Sequence, residues 1–339
     1  MTSVTFRDFD PQGEEIRALQ NQLETDRLPH AIMITGEEGA GKKTLAALLS
    51  KGLLCRAEKD RPCGKCGGCQ RAEAGEHPDQ IWIRKGVPLS PDTKKDRATI
   101  PVEDIREMIR LCGAHPFEGG RRAVIIADAE NMTPQAQNSL LKTLEEPPVS
   151  TTFILTVSHR EMMLDTILSR CRTVRLHPWD EGTIRAILLR EGVGEERAAL
   201  SAGQSNGSIG MAQKIARDEE YWKTRQEILD AFLATSRRSD ILRISGAWKD
   251  RKGDAATLFA VLEGTVRQMV RYRYRQEGGD AIRQLPEPWQ RMAARAGGEV
   301  FSRLGDMIRQ ARKETLSSVN FQAVFEKLLM GFVGEGVQW

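Results

Sequence analysis

A short apolar run, Ala31-Ile32-Met33-Ile34-Thr35, passes directly into Gly36-Glu37-Glu38-Gly39-Ala40-Gly41-Lys42-Lys43-Thr44, and Leu45-Ala46-Ala47-Leu48-Leu49 continues as a helix. Strand, glycine loop and helix in that order leave a chain few folds. A helix that starts where a strand ends packs back over the sheet, so parallel strands alternating with helices are expected. The first amides of such a helix point at the loop, as a bound phosphate requires. Gly36, Gly39, Gly41 and Lys42 match G-x-x-x-x-G-K-[ST], but Lys43 stands where that motif needs a hydroxyl for Mg²⁺. Thr44 lies one residue too far along. Gly36, Gly39, Gly41, Lys42 and Thr44 are therefore candidates for a degenerate nucleotide loop.

The further strands are present in the pattern. Gln80-Ile81-Trp82-Ile83, Ala123-Val124-Ile125-Ile126-Ala127, Phe153-Ile154-Leu155-Thr156-Val157 and Arg172-Thr173-Val174-Arg175-Leu176 read as strands. The second has the continuous β-branched character of a buried parallel strand. Helices are predicted over 14–26 and 102–111, and a third is capped by Thr133 with Pro134 in its first turn. Ala136, Leu140, Leu141 and Leu144 would form its buried stripe, and Pro147-Pro148 end it. Five strands alternating with helices predict an α/β doubly wound core over residues 1–178. After Trp179 the strand signals stop. Residues 179–216 read as a lid of three short helices, the last opening at Asn206-Gly207-Ser208. Residues 217–339 read as an all-helical domain with turns at Gly253-Asp254, Gly278-Gly279 and Gly297-Gly298.

A chain of 339 residues has room for two or three such domains. No apolar run reaches the ~18 residues of a membrane span. The amino end lacks the basic-then-apolar pattern of a signal peptide, so a cytoplasmic protein is expected. The formal net charge of +3 permits contact with nucleic acid without arguing for it. In the cytoplasm six cysteines are metal ligands or core residues sooner than disulfides.

Four of them cluster in the loop-rich insertion 55–78: Cys63-x₂-Cys66-x₂-Cys69, with Cys55 eight residues upstream. Four thiolates suit tetrahedral Zn²⁺, the intervening glycines let the backbone fold round the ion, and no position stays open for catalysis. A redox Cys-x-x-Cys, an iron–sulfur cluster or incidental loop cysteines are the alternatives. Cys112 and Cys171 stand alone and are expected in the packing.

A working ATP site also needs a strand-end Asp for Mg²⁺ and a carboxylate to position water. Here the strand ends Ala127-Asp128-Ala129, one carboxylate where two are needed, and Glu130 falls in the following turn. An active site, passive nucleotide binding and an empty structural loop remain as three readings of the glycines.

Leu140-Leu141-Lys142-Thr143-Leu144-Glu145-Glu146-Pro147-Pro148 and Ile167-Leu168-Ser169-Arg170-Cys171 closely resemble the AAA+ subunits of bacterial DNA polymerase III clamp loaders. The resemblance extends from Arg27-Leu28-Pro29-His30 through the cysteine module and His77-Pro78-Asp79 to about residue 216. It implies an AAA+ P-loop core with a parallel sheet and inserted zinc module, a helical lid and an all-α carboxyl-terminal collar domain. The partners it implies are the gamma/tau and delta subunits, with the sliding clamp and primer-template DNA reached through the assembled ring. By resemblance, Ala127 falls on the metal-binding Asp of ATP-hydrolysing members, Asp128 on their catalytic Glu, and Gly210 on their sensor arginine. Every departure falls on a hydrolysis residue. Arg170 is retained, and in this family that arginine reaches the ATP site of the adjacent subunit. The resemblance thus points to a non-hydrolysing stator, and the absence of a long tail agrees with it. Ser158 occupies the place of the family's polar sensor, with a plain strand-end hydrogen-bonding role as the alternative.

Two competing classes remain: a gamma/tau-like ATPase, and a stand-alone zinc-containing nucleic-acid-binding protein. Arg267, Arg271 and Arg275, with Arg273 between Tyr272 and Tyr274, form a helical basic stripe that could face DNA or an acidic neighbour. The plainer expectation is a solvated face opposite buried Leu258, Leu262, Val266 and Met269.

Overall fold

In the computed structural model, which describes residues 4–93, 97–118, 120–235, 237–274, 285–316 and 320–334, strand β1 (Ala31–Thr35) sits inside a five-stranded sheet. The others are β2 (Gln80–Ile83), β3 (Arg122–Ile126), β4 (Thr151–Val157) and β5 (Arg172–Arg175). Their order is β2-β3-β4-β1-β5 and every pairing is parallel. Phe153–Val157 run beside Ala31–Thr35 on one side, and Arg172–Arg175 beside Ile32–Thr35 on the other. After β1 the chain goes to the far edge, works back through β3 and β4, and crosses β1 to reach β5. That reversal of strand order beside β1 opens a crevice at the carboxyl ends of the strands, where the glycine loop lies.

The sheet is buried because helices cover it. Met33, Val124, Ile126, Phe153 and Leu155 pack in one core with Ile105 and Met108 of one helix and Leu140 and Leu144 of another. The helices of this part are α1 (Glu14–Glu24), α2 (Lys42–Leu53), α3 (Gly67–Ala74), α4 (Val102–Cys112), α5 (Pro134–Glu145) and α6 (Asp165–Leu168). Three details depart from expectation. Helix α1 ends at Glu24 because Asp26 takes a left-handed backbone. The 55–78 insertion contains α3, whose first turn is capped by the Cys66 sulfur accepting the Cys69 amide. In α5 the buried stripe takes Gln137 while Leu141 is half-buried. The Gln137 side chain donates to Met162 O (3.1 Å) and accepts from the Leu164 amide (2.9 Å), which offsets its burial. Thr133 does cap α5, accepting from the Ala136 amide.

Asp79 closes the entrance to β2. It is fully buried, and its two carboxylate oxygens accept the Phe117 and Glu118 amides, each at 2.7 Å. Buried Arg122 lies beside it at 3.9 Å and donates to Leu111 O and Ala114 O behind α4. Asp79→Ala would strand that guanidinium and both amides, a change worth about 3–5 kcal/mol. A urea unfolding midpoint shifted by less than ~1 kcal/mol would contradict it.

The chain gathers into two compact units. The first is Met1–Asp180 with Gly207–Gly210; the second is Glu181–Asn206 with Met211–Trp339. The second contains, among the described residues, helices and no strand: α7 (Glu181–Arg190), α8 (Glu195–Gln204), α9 (Ile209–Arg217) from Met211 on, α10 (Glu219–Leu233), α11 (Arg238–Ala247), α12 (Ala255–Tyr274), α13 (Glu287–Arg295), α14 (Gly298–Leu316) and α15 (Phe321–Gly334). Its core is aromatic at the centre, where Trp248 stacks on Phe325 at 4.8 Å and Phe232 meets Phe325 and Phe332 edge-on. Leu258, Leu262, Val266 and Met269 of α12 are buried in it as the pattern predicts. The predicted turns at Gly253-Asp254 and Gly297-Gly298 separate helices as expected; Gly278-Gly279 and Arg275 lie outside the described residues. Among the described residues no helix is long and apolar enough to cross a membrane.

Candidate functional site

The loop between β1 and α2 is held by close backbone approach. A Cβ on Gly36 would come within 2.8 Å of Leu176 O, and one on Gly39, whose φ is +76°, within 2.2 Å of Ser208 Oγ. Gly41, at φ +96°, starts α2 in the left-handed region. Only glycine satisfies both demands. Ser208 Oγ donates to Glu38 O (2.9 Å), the Gly210 amide to Gly39 O (3.0 Å), and the Trp179 indole to Ala40 O (2.9 Å). A Cβ on Gly210 would stand 3.0 Å from the Gly39 Cα, so backbone contact itself occupies the position at which the resemblance expects a sensor arginine. Trp179, in turn, meets Phe9 edge-on at 5.6 Å.

Both lysines are engaged within the chain. Lys42 is buried, and its Nζ donates to Gly36 O and Glu37 O at 2.8 Å each. Burial lowers its pKa, opposed by the charges of Glu130 and then Asp128. Lys43 Nζ contacts Asp128 Oδ2 at 2.6 Å. The residue that replaces the metal-binding hydroxyl thus neutralises the one carboxylate at the end of β3. Ala127 supplies no ligand, and Thr44 is exposed. Chemically, this constellation offers an ion pair where the motif needs a hydroxyl and a free carboxylate.

Glu130 is the residue that sequence reasoning passed over. It lies in the expected turn, Ala129–Asn131, yet its side chain is buried and its Oε1 accepts the Ser158 amide at 3.0 Å. No periodicity announces a carboxylate folded back on a neighbouring strand end. Ser158 itself is half-buried at the end of β4.

The four cysteines converge. Cys63 Sγ and Cys69 Sγ are 4.0 Å apart, Cys55 Sγ and Cys66 Sγ 3.9 Å, and all four sulfurs lie within 4.8 Å of one another. A tetrahedron with ~2.3 Å metal–sulfur bonds needs sulfurs ~3.8 Å apart, so the set fits one metal ion. The Ala57 and Cys63 amides donate to Cys55 Sγ, and the Cys69 amide to Cys66 Sγ, all at 3.4 Å. Burial would push the Cys66 thiol up, but the Arg56 and Cys69 amides together with the Cys69 and Cys63 thiols bring it down to about 6. Glu118 ties this module to the sheet, accepting from Arg56 and Arg71 while its own amide donates to Asp79. Cys112 and Cys171 are buried away from the cluster, and burial pushes both thiols up, Cys171 to about 12.

Arg170 follows α6, its side chain one-third exposed, paired with Glu145 at the end of α5 and donating to Thr166 O at 2.8 Å. The strings that carry the resemblance therefore meet in space. In the basic stripe Arg267 and Arg273 are exposed, as on a solvated face, and donate to Asn206 Oδ1 and Ala296 O, each at 3.2 Å. Half-buried Arg271 departs from that pattern by gripping both carboxylate oxygens of Glu181.

Residues 11–180, the sheet, loop and cysteine module just described, match the family model for the DNA polymerase III delta subunit. The chain belongs to that family. It is 32% identical over 221 residues to the delta' subunit of DNA polymerase III from Bacillus subtilis, covering 65% of this chain and 64% of that protein. With the Escherichia coli delta' subunit it shares 36% over 204 residues, covering 60% of this chain and 58% of the relative. With the Escherichia coli tau subunit it shares 34% over 213 residues, 60% of this chain but 31% of the relative. The matched stretch spans less than two thirds of the length of each.

Proposed function

We propose that this chain is a delta-prime-type stator of a bacterial clamp loader: a non-hydrolysing AAA+ subunit that completes the ring and lends Arg170 to a neighbour's ATP site. Its parts would be the AAA+ core 1–178 with the zinc module 55–78, the lid 179–216 and the collar 217–339. The partners are the gamma/tau and delta subunits, and through the assembly the sliding clamp and primer-template DNA, in the bacterial cytoplasm. Zinc is the metal the cysteines would hold, with a structural role, since four sulfurs close the coordination sphere.

The observation that carries the stator reading is the Lys43–Asp128 ion pair. Hydrolysis needs Mg²⁺ held between a loop hydroxyl and a strand-end carboxylate, and a second carboxylate free to position water; here the hydroxyl position is a lysine, and that lysine is bonded to Asp128, the carboxylate left for the second task. Gly36, Gly39, Gly41, Lys42 and Thr44 then form a loop whose task is structural. The alternative ATPase, gamma/tau-like in kind, finds no support in that pair, although the identity to a tau subunit keeps it worth testing.

The test is ATP turnover by the purified chain alone, with Mg²⁺. No turnover above background is expected, and Lys43→Thr should restore none, because Ala127 still lacks a carboxylate. A magnesium-dependent turnover that Lys42→Ala abolishes would make the chain a motor and end this proposal.

A further inference from the structure

Within the helical unit, α8 and α10 meet along a polar seam. On α8, Arg197, Ser201 and Gln204 follow one another at helical spacing and so share a face. Tyr221, Trp222 and Arg225 do the same on α10. Two contacts join the faces: Tyr221 Oη donates to Gln204 Oε1, and the Arg197 guanidinium lies 5.4 Å from the centre of the Trp222 ring. The Arg225 guanidinium lies 5.5 Å from the same ring.

The two arginines differ in what answers them. Arg197 is half-buried, and Glu219 gives it both carboxylate oxygens. Arg225 is 8% exposed, yet among the described residues it makes no hydrogen bond or ion pair, and its Nε is sealed from solvent without an acceptor. The carboxylates around it are engaged elsewhere or stand off. Glu219 belongs to Arg197, and Glu227 accepts from Arg251 at 2.6 Å. Burial lowers the Arg225 pKa, opposed by Tyr221 and then by the charge of Glu196, which is exposed and forms no ion pair with it. On the α8 face Ser201 is fully buried, and its hydroxyl also has no partner. A buried guanidinium is costly unless it is paired, and its planar fork is shaped for two oxygens of one group.

We propose that Arg225 is the receiving group of a small-oxyanion site in the α8–α10 seam, for phosphate or a carboxylate of similar size, with Trp222 as its apolar wall. The charge and the fork come from Arg225. Arg197, already satisfied by Glu219, braces Trp222 from α8 and is not the receiver. A residue so nearly closed off admits a small anion and shuts out the backbone of a nucleic acid. The site shares no residue with the glycine loop or the cysteine cluster, so it stands apart from the stator reading.

The experiment follows the melting temperature of the purified full-length chain and equilibrium dialysis of labelled inorganic phosphate, in chloride buffer at fixed ionic strength. Phosphate should raise the melting temperature by about 3 °C, levelling off near about 10 mM, with one more ion bound per chain than in Arg225→Met. Arg225→Met keeps an apolar side chain against Trp222 and should lose that response. In chloride alone it should melt no lower than the unmodified chain, because it removes an unpaired buried charge. Arg225→Lys keeps the charge without the fork and should bind phosphate about tenfold more weakly or worse. Acetate in place of phosphate separates the two sources: a response to both makes the ligand a carboxylate as readily as a phosphate, and a response to phosphate alone makes it a phosphate. Absence of a saturable response to either anion would overturn the proposal. So would a folded Arg225→Met that responds as the unmodified chain does. Should methionine prevent folding, Arg225→Lys decides, and undiminished phosphate affinity in that variant counts against the site.

Discussion

Cys66→Ser should leave the purified protein with almost none of the roughly one zinc per chain that four converging sulfurs can hold. Structural zinc in small domains is worth ~10–16 kcal/mol, the largest single contribution expected anywhere in this chain. The loss would be local. The same sulfur accepts the Cys69 amide that opens α3, so the substitution removes a ligand and weakens a helix cap together. Residues 55–78 should become open to protease and to rapid amide exchange, while the face of the sheet covered by α4 and α5, whose core draws on none of those residues, keeps its protection. Elemental analysis of freshly purified, reduced protein checks the first half, and amide exchange the second. Absence of zinc from the unmodified chain, or full retention by Cys66→Ser, would remove the metal from the account.

Arg170→Ala should reduce DNA-stimulated ATP hydrolysis by the reconstituted complex while folding, zinc and assembly stay intact. The pair with Glu145 is open to solvent, half-buried on the Arg170 side and exposed on the other, and such surface pairs contribute ~0–1 kcal/mol, so little stability depends on it. Its value would lie in trans, where a guanidinium placed at a transferring phosphate is worth ~10³–10⁵ in rate at that one site. On the stator reading other interfaces would keep their own arginines, so the loss summed over the complex would be partial. Lysine should substitute poorly, since it keeps the charge and loses the planar fork. In a complex whose motor subunit is already disabled at the site facing this chain, Arg170→Ala should cost little more, because two changes at one site are non-additive. Full additivity, or unchanged hydrolysis in the single variant, would place Arg170 outside the neighbour's site.

Much of the sheet is legible in the residues because its inner strands β1, β3 and β4 are buried on both faces and so are written as largely apolar runs; β3 is the clearest, every residue of it buried. Helix α3 is not legible for the opposite reason. Gly67–Ala74 has little apolar period, and what starts it is a cysteine sulfur acting as cap. Gln137 enters the buried stripe of α5 because Met162 and Leu164, contributed by a later turn, satisfy its amide. Arg271 of α12 escapes prediction in the same way, since Glu181, which takes it, stands ninety residues earlier. The cysteine cluster succeeds where these fail because its spacing is short enough for the chain itself to bring the ligands together.

By itself, then, the sequence determined the alternation of strand and helix, the place of the glycine loop, the missing hydroxyl at Lys43 and the four sulfurs in reach of one ion. Each is a local property, set by side-chain period or by separations of a few residues. The tertiary structure alone decided which polar group meets which: Lys43 with Asp128, Glu130 with the Ser158 amide, Arg271 with Glu181. Coulomb energy and hydrogen bonding depend on distances of a few ångströms between elements far apart in the chain, and no pattern along the chain encodes those distances.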